Sequence, residues 1–431
     1  MRDEEIKIGL LGLGTVGSGV VHILQNHQEQ IMHQVGCPVV LKKILVKDVQ
    51  KKRETPLQEN ILTDQPSDLL EDSELDILIE VMGGVNGTYE ILKRAVKNGK
   101  HIVTANKDLM AVHGSELLRL AKENQVDIFY EASVAGGIPI IRALAEGLAS
   151  DRITKLMGIV NGTTNYILTK MTDEQRVFED VLKEAQDLGY AEADPTSDVD
   201  GLDAARKMTI LATLAFSTNV DLDDVEIEGI RHINEQDIKF AEQLGYRIKL
   251  IGIAAKDDDK LEVSVQPVLL PIDHPLAGIK DEFNAVYVYG EAVGETMFYG
   301  PGAGKLPTAT AIVSDLIAVV KNLRLGVTGN SYIIPQYNKQ LKSLDEIYAK
   351  FFIRLKVEDQ PGTFLALTTI FTETGVSFDK ILQLPVPDEK AAEVIMITHT
   401  ASKRQMESIM KKLENKEVVH QIKSCYRVEG D

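Results

Sequence analysis

Cysteine is nearly absent from this chain: Cys37 and Cys425 are the only two in 431 residues. So few, so far apart, exclude a disulfide framework and a cysteine-rich metal site, and reduced thiols suit a cytosolic protein. Positive charge is also scarce, with 47 lysines and arginines against 65 acids and a net charge of −18. Nucleic acid and anionic membranes need a basic surface, so neither is expected as a partner. An anionic ligand must instead be met by local cations. No run of eighteen apolar residues is available to span a bilayer, and the charged start Met1-Arg2-Asp3-Glu4-Glu5 has no apolar signal region. These absences together point to a cytoplasmic location. Internal repeats and low-complexity tracts are missing too. The 44% of hydrophobic and 26% of charged residues are ordinary for a globular protein. At roughly 100–200 residues per domain, the length implies two to four domains.

Strand-like and helix-like stretches alternate up to about residue 130. Strands are expected at 6–11, 39–46, 75–82, 101–104 and 126–130, and helices at 16–32, 89–96 and 116–123. Such alternation means an α/β domain with a parallel, doubly wound sheet of Rossmann type. From residue 131 the texture changes to glycine-rich turns, helices at 178–188 and 202–216, and β-rich stretches at 248–254, 261–269 and 285–289. That pattern reads as an α+β second domain, 131–306. A helical stretch at 309–323 follows, and 326–349 reads as a linker. Residues 350–431 restart in the order βαββαβ, a ferredoxin-like unit.

Gly12-Leu13-Gly14-Thr15-Val16-Gly17 fits G-x-G-x-x-G directly after an apolar strand and at the opening of a helix. The first glycine allows a tight turn, the second lets backbone approach a pyrophosphate, and the third lets helix and strand pack closely. A pyrophosphate there meets free N–H groups at the helix N-terminus. The motif alone is weak; the strand–turn–helix context gives it weight. At the end of the second strand stand Lys47, Asp48, Lys51, Lys52 and Arg53. An acid there favours the ribose 2′-OH of NAD, whereas cations suit the 2′-phosphate of NADP. Asp48 is farther from the glycines than the usual spacing, so NADP is the expected cofactor and NAD the alternative. A solvated charged loop is the bland reading of the same residues.

Three segments, taken in order after that glycine loop, carry a resemblance. They are Thr104-Ala105-Asn106-Lys107, then Gly158-Ile159-Val160-Asn161-Gly162-Thr163-Thr164-Asn165, then Gly189-Tyr190-Ala191-Glu192-Ala193-Asp194-Pro195 running on through Asp198 to Gly201-Leu202-Asp203-Ala204-Ala205-Arg206-Lys207. Over about residues 6 to 325 the chain resembles homoserine dehydrogenases. The resemblance implies reversible, NAD(P)H-dependent reduction of L-aspartate 4-semialdehyde to L-homoserine, in a catalytic and dimerisation domain that follows the nucleotide-binding one. A carbonyl reduced by hydride becomes an alkoxide and must gain a proton, so a cation or acid is needed beside that oxygen. By resemblance Lys207 donates that proton, and Lys107 polarises the reacting group on the nicotinamide side. On the sequence alone, each lysine could be a surface charge, and two lysines from two domains could meet across the cleft. Glu192 and Asp203 would bind the amino acid, with Asp198 in support and Gly189 beside the cofactor. Asp203 and Lys207, four apart, share a helical face, which also allows a plain ion pair. The Asn161-Gly162-Thr163-Thr164 turn would offer donors to the substrate carboxylate; an Asx turn is the bland alternative.

The resemblance further implies a monovalent cation, sodium being the candidate, held by Glu131 and the carbonyls of Val134, Gly136 and Ile138. Composition alone would make 131–139 a turn between domains. The loop Pro301-Gly302-Ala303-Gly304 would close over the nucleotide, with Gly302 beside it, and 307–325 would return the chain to the first domain. Phe352 to Phe364, with Asp359, Pro361 and Gly362 at its turn, resembles the opening of an ACT domain. Such domains pair side by side, which implies a homodimer or homotetramer, and bind small amino acids, L-threonine being the candidate effector. An oligomerisation module that binds nothing is the alternative. Two rival functions remain at this stage: another dehydrogenase of amino or oxo acids, and a non-catalytic sensor of NADP and amino acids in which both lysines are expendable. Fusion to an aspartokinase is not expected, since no kinase-sized segment precedes residue 6.

Overall fold

The computed structural model describes residues 5–430 apart from residues 54, 330–333 and 388. The chain separates into two compact units. One comprises Met1–Leu156, Ala205–Asp224 and Asn284–Lys339; the other comprises Met157–Ala204, Val225–Phe283 and Gln340–Asp431.

The first unit is built on a parallel sheet. Its strands are β1 (Ile6–Leu11), β2 (Val39–Leu45), β3 (Leu62–Thr63), β4 (Ile77–Glu80), β5 (His101–Thr104) and β6 (Ile128–Phe129), in the order β3-β2-β1-β4-β5-β6. All five pairings are parallel, and the central strands β1 and β4 are buried almost throughout, as strands covered on both faces are. The chain steps outward from β1 to β3 on one side and then from β4 to β6 on the other. The reversal between β1 and β4 opens the crevice in which such sheets hold ligands.

Helices α1 (Thr15–Asn26), α2 (Gln28–Val35), α3 (Ser67–Leu70), α4 (Asn86–Lys97) and α5 (Lys107–Glu123) connect the strands. The stretch expected as one helix over 16–32 is two, broken at His27. The Asn26 side chain donates to the His22 carbonyl at 2.8 Å, a local bond that competes with helix continuation. Helix α5 starts nine residues before the expected 116, because the Asn106 side chain caps it by accepting from Leu109 N. Lys107 is therefore the first residue of a helix. The helix Lys305–Leu325 has the length and apolar composition to cross a membrane. Here it buries Ala309, Ile312, Leu316 and Val320 in the same core as Val20, Val21 and Ile31. Gly19 permits the crossing with α1: a Cβ there would lie 2.4 Å from the Lys305 carbonyl oxygen. The strand Gly294–Pro301, which pairs with Phe283–Gly290, had no sequence signal strong enough to be read.

In the second unit, Tyr246–Asp257 pairs antiparallel with Lys260–Pro271. The end of Lys260–Pro271 meets Val419–Val428 in parallel. From there the sheet continues through Tyr348–Glu358 and Ala391–Thr398 to Phe378–Pro385. Helices Thr363–Glu373 and Lys403–Glu414 complete the expected βαββαβ order, their Leu367, Phe371, Ile409 and Leu413 packing on Ile353, Leu355 and Val394.

One buried charge cluster ties this small sheet to the helix Glu235–Gln243. Arg354 donates to Asp237 Oδ1 at 2.9 Å and to both carboxylate oxygens of Glu393 at 2.9 and 3.0 Å. Ser424 Oγ and Tyr426 OH donate to the same Asp237 carboxylate at 2.7 and 3.0 Å. Removing one partner of such a pair strands the other without compensation, at about 3–5 kcal/mol. Asp237→Ala should therefore lower the thermal midpoint sharply, and Asp237→Ala with Arg354→Met should restore part of the loss. Equal midpoints for the parent and the single variant would show that the cluster stabilises nothing.

Candidate active site

In the first unit the glycine loop leads from β1 into α1. Gly12 has φ +106°, its N–H donates to the Leu45 carbonyl at 3.0 Å, and a Cβ there would press on the Val81 carbonyl. A Cβ on Gly17 would stand 2.4 Å from the Gly12 carbonyl oxygen, so this glycine is what lets α1 lie against the strand end. Gly14 differs: nothing lies within 4 Å of its missing Cβ, so the N-terminus of α1 is open to an incoming group. Leu13 and Val16 anchor the loop on the core.

Beside it is a cavity of about 570 Å³ lined by Leu13, Gly14, Thr15, Lys51, Arg53 and Lys305 among others. Of the basic group at the end of β2, Lys51 and Arg53 line the cavity, whereas Lys47 lies on the exposed surface. The Asp48 carboxylate accepts from Gln50 N at 2.8 Å, and the Asp48 carbonyl accepts from the Arg53 guanidinium at 2.7 Å. Asp48 thus shapes the loop that presents Arg53. Lys305 had no motif to mark it; its position just after the glycines at 302 and 304 is the signal that could have found it. An open glycine, free helix N–H groups and three cations around one cavity fit a phosphorylated dinucleotide.

Gly302 is required by packing. Its Cβ would overlap the Asn284 amide, and a Cβ on Gly136 would lie 2.5 Å from the Gly302 carbonyl oxygen. Asn284 is buried, and neither its Oδ1 nor its Nδ2 has a hydrogen-bond partner among the described residues. Nearby in sequence, Ala135 and Gly136 both have left-handed backbones, φ +53° and +54°. The Glu131 carboxylate accepts from Ile141 N and Arg142 N at 2.7 and 2.8 Å, capping the short helix Ile140–Arg142. Its backbone N–H donates to Asp315, which also takes the Arg142 guanidinium at 2.8 Å. Burial raises the carboxyl pKa of Glu131. Burial, and then Glu131, push that of Asp315 up to about 8. The Ile138 carbonyl accepts from Ile140 N at 2.8 Å, and Val134 and Ile138 are buried. Two buried carboxylates face one guanidinium. A donor set of oxygens alone fits a hard monovalent cation. Each Glu131 oxygen keeps a second lone pair for it.

Lys107 opens α5, and Lys207 lies on the helix Leu202–Phe216. They were expected from two domains, but both belong to the first unit. The cause is that this helix docks along α5: Arg206 pairs with Asp108 at 3.4 Å, and Ser115 Oγ donates to Asn219 Oδ1 at 2.6 Å. The ion pair joins the residues immediately next to the two lysines.

In the second unit, Asn161-Gly162-Thr163-Thr164 is the N-terminus of the helix Gly162–Glu174 rather than a free turn. Asn161 Oδ1 accepts from Thr164 N at 2.8 Å, while its Nδ2 donates to Asp198 Oδ1 at 2.7 Å and to Asp203 Oδ2 at 2.8 Å. One amide thereby holds two carboxylates together, with Asp203 buried and Asp198 half-buried. Gly162 is needed because a Cβ would approach the Glu282 carbonyl oxygen to 2.6 Å. Thr163 Oγ1 donates to the Tyr190 carbonyl at 2.6 Å, leaving the hydroxyl oxygen as acceptor. Glu192 is exposed and stands outside this hydrogen-bonded group, and Gly189 (φ +77°) has open space at its Cβ. Asp194 and Asp200 are otherwise engaged, the first by Thr196 N and the second by Arg231.

Comparison with known proteins gives the family. A family model for homoserine dehydrogenase matches residues 139–317. A second, for the NAD-binding domain of homoserine dehydrogenase, matches 12–131, and an ACT-domain model matches 351–418. The chain is 62% identical over 429 residues to a homoserine dehydrogenase of Bacillus subtilis, covering 99% of each chain. A crystal structure of a homoserine dehydrogenase from Thiobacillus denitrificans superposes with a TM-score of 0.92 at 38% identity, covering 99% of this chain and 98% of that one. One from Staphylococcus aureus superposes with a TM-score of 0.79 at 40% identity, covering 99% of each.

Because the Asp315 carboxyl rises from 3.8 to about 8 on folding, the folded state binds that proton more tightly than the unfolded chain. The stability it contributes is full below about pH 4 and is lost as pH climbs towards 8. Asp315→Asn cannot ionise, so its thermal midpoint relative to the parent should improve steadily between those limits. A gap that does not change with pH would contradict the assignment.

Proposed function

The chain belongs to the homoserine dehydrogenase family, nicotinamide-dependent oxidoreductases here carrying an ACT domain, and from that premise we propose which residues carry its reaction, the reversible reduction of L-aspartate 4-semialdehyde to L-homoserine. The observation that carries the reading is the Asn161 amide shared by Asp198 and Asp203, with Lys207 one helical turn beyond Asp203. The two carboxylates gathered by Asn161 take the substrate's α-ammonium, with Glu192 closing over it from the exposed segment. Thr163 and the Gly162 backbone face the α-carboxylate. The nicotinamide, when bound, supplies or accepts the hydride.

In reduction, Lys207 gives a proton to the oxygen that becomes the alcohol; in oxidation its neutral amine takes that proton back. Lys107 lies against the same oxygen and stabilises the alkoxide charge. Gly12, Leu13, Gly14, Thr15, Val16 and Gly17 bind the pyrophosphate, and Gly189 and Gly302 border the cofactor. NADP is the preferred form, its 2′-phosphate held by Lys51 and Arg53 with Lys47 at the rim; NAD serves less well. A sodium ion rests on Glu131 and the carbonyls of Val134, Gly136 and Ile138, where it offsets the charge shared with Asp315 and shapes the domain turn without taking part in chemistry.

The ACT domain takes L-threonine. Its support is Gly362, with φ +97° and open space at its Cβ, at the head of the helix Thr363–Glu373. The chain works as a homodimer or homotetramer, and the edge strand Phe378–Pro385, which leaves Ile381 and Leu384 exposed, is suited to pairing. Residues 1–130 with 307–325, 131–306 and 350–431 act as the nucleotide, catalytic and regulatory domains.

The test is absorbance at 340 nm with L-homoserine and NADP⁺ or NAD⁺ at alkaline pH. Lys207→Ala should depress kcat by roughly 10²–10⁴-fold, and near-parental turnover would remove Lys207 from proton transfer. Lys51→Ala with Arg53→Ala should raise the KM for NADP⁺ and leave that for NAD⁺ little changed; equal effects on both would place the 2′-phosphate elsewhere. Calorimetric titration should give heat with millimolar L-threonine that is lost on deleting residues 350–431; no heat from the intact chain removes threonine as the effector.

A further inference from the structure

Glu80 ends β4 and is fully buried. Its strand stands beside β1 where the strand order reverses, at the head of the cofactor crevice. Its partners lie in the turn that follows β4 and at the end of β5. Oε1 accepts from Met82 N at 2.7 Å and from Gly83 N at 3.1 Å, and Oε2 accepts from Thr104 Oγ1 at 2.6 Å. Thr104 Oγ1 accepts in turn from Asn106 N at 3.0 Å, and Asn106 Nδ2 donates to the Gly84 carbonyl at 2.7 Å. These bonds close a ring: carboxylate, the Met82-Gly83-Gly84 turn, Asn106, Thr104, and back to the carboxylate. Asn106 Oδ1 also accepts from Leu109 N and so starts the helix whose first residue is Lys107.

The turn on the other side of the ring bends through two left-handed glycines, Gly83 and Gly84, φ +73° and +78°. It leans on the glycine loop: a Cβ on Gly12 would lie 3.2 Å from Met82 Cγ. One carboxylate thus ties together two loops of the crevice, the Met82–Gly84 turn and the start of α5. Burial raises its pKa, while Thr104, Met82 and Gly83 act to hold it down. A neutral side chain would close a strand end at less cost in desolvation; buried charge with specific donors gathers at functional sites.

We propose that Glu80 is a positioning residue for the hydride-transfer reaction, setting through this ring the backbone of Thr104–Lys107 and hence the place of the Lys107 ammonium. The proposal rests on the reading of Lys107 as a group that touches the reacting oxygen. The two are separable, because failure of the reaction assignment would show in the parent protein itself as no oxidation of L-homoserine.

The experiment compares Glu80→Ala, Glu80→Gln, Thr104→Val and Lys107→Ala in the full-length chain. It measures kcat and KM for L-homoserine, NADPH binding by fluorescence, and the thermal midpoint. A displacement of about 1 Å at a catalytic group can cost roughly 10²-fold. Glu80→Ala is therefore expected to lose about that in kcat per NADPH-binding site, with NADPH affinity held within a few-fold. Thr104→Val, which cuts the branch to Asn106, should fall between, and Glu80→Gln, which keeps an acceptor for the turn, should recover most of the turnover. A Glu80→Ala protein of lowered midpoint whose binding sites turn over at the parental kcat would overturn the proposal, leaving only a structural role. Lys107→Ala with parental turnover overturns it equally. Should Glu80→Ala fail to fold, Thr104→Val decides: unchanged kcat rejects the proposal, and a drop with unchanged KM supports it.

Discussion

A carboxylate taken out of water must be met by donors, or it costs several kcal/mol, and this acidic chain buries carboxylates at the very places where its elements begin and end. Glu80 at the end of β4 is met by two backbone N–H groups and a threonine. Glu131 is met by the amides that open Ile140–Arg142. Asp203 is met by Asn161, itself the cap of a helix. Asp237 is met by Arg354, Ser424 and Tyr426. Each satisfied charge ties its own element to the segment that satisfies it, and at Glu80 and Glu131 that segment is a loop or a helix start, where chain would otherwise be most mobile.

That constraint also explains how much could be read in advance. The glycine loop was legible because each glycine answers a steric demand that any sequence must meet: Gly17 against the Gly12 carbonyl, Gly14 open. The βαββαβ order of the C-terminal unit was legible because its strands alternate and its helices are amphipathic. The donors to buried charge were not legible, since some are backbone N–H groups that no residue type announces and others are side chains brought in from distant segments. For that reason Glu80 read as one more strand residue, and Asp315 as part of a helical pattern. The true start of α5 escaped for a related reason: it depends on Asn106 capping with its side chain.

The same logic separates the acids of the third motif. Glu192, Asp194, Asp198, Asp200 and Asp203 look alike in sequence. Asp194 closes its own turn, and Asp200 pairs with Arg231. Only Asp198 and Asp203 converge on Asn161. In the reading proposed above, this pair of carboxylates meets an amino acid's ammonium, a group that a plain oxo-acid substrate lacks. On that reading substrate class rests on this pair more than on the fold, which serves many reactions.

The most direct measurement compares L-homoserine with 4-hydroxybutanoate, which has the same alcohol and carboxylate but no ammonium, as substrates for NADP⁺ reduction. A site built around a buried polar partner rejects the analogue that lacks it by roughly 10⁴-fold or more. The account predicts steady turnover of L-homoserine and almost none of the analogue. Comparable kcat/KM for the two would contradict it, and would mean that the Asp198–Asn161–Asp203 group only holds the helix in place.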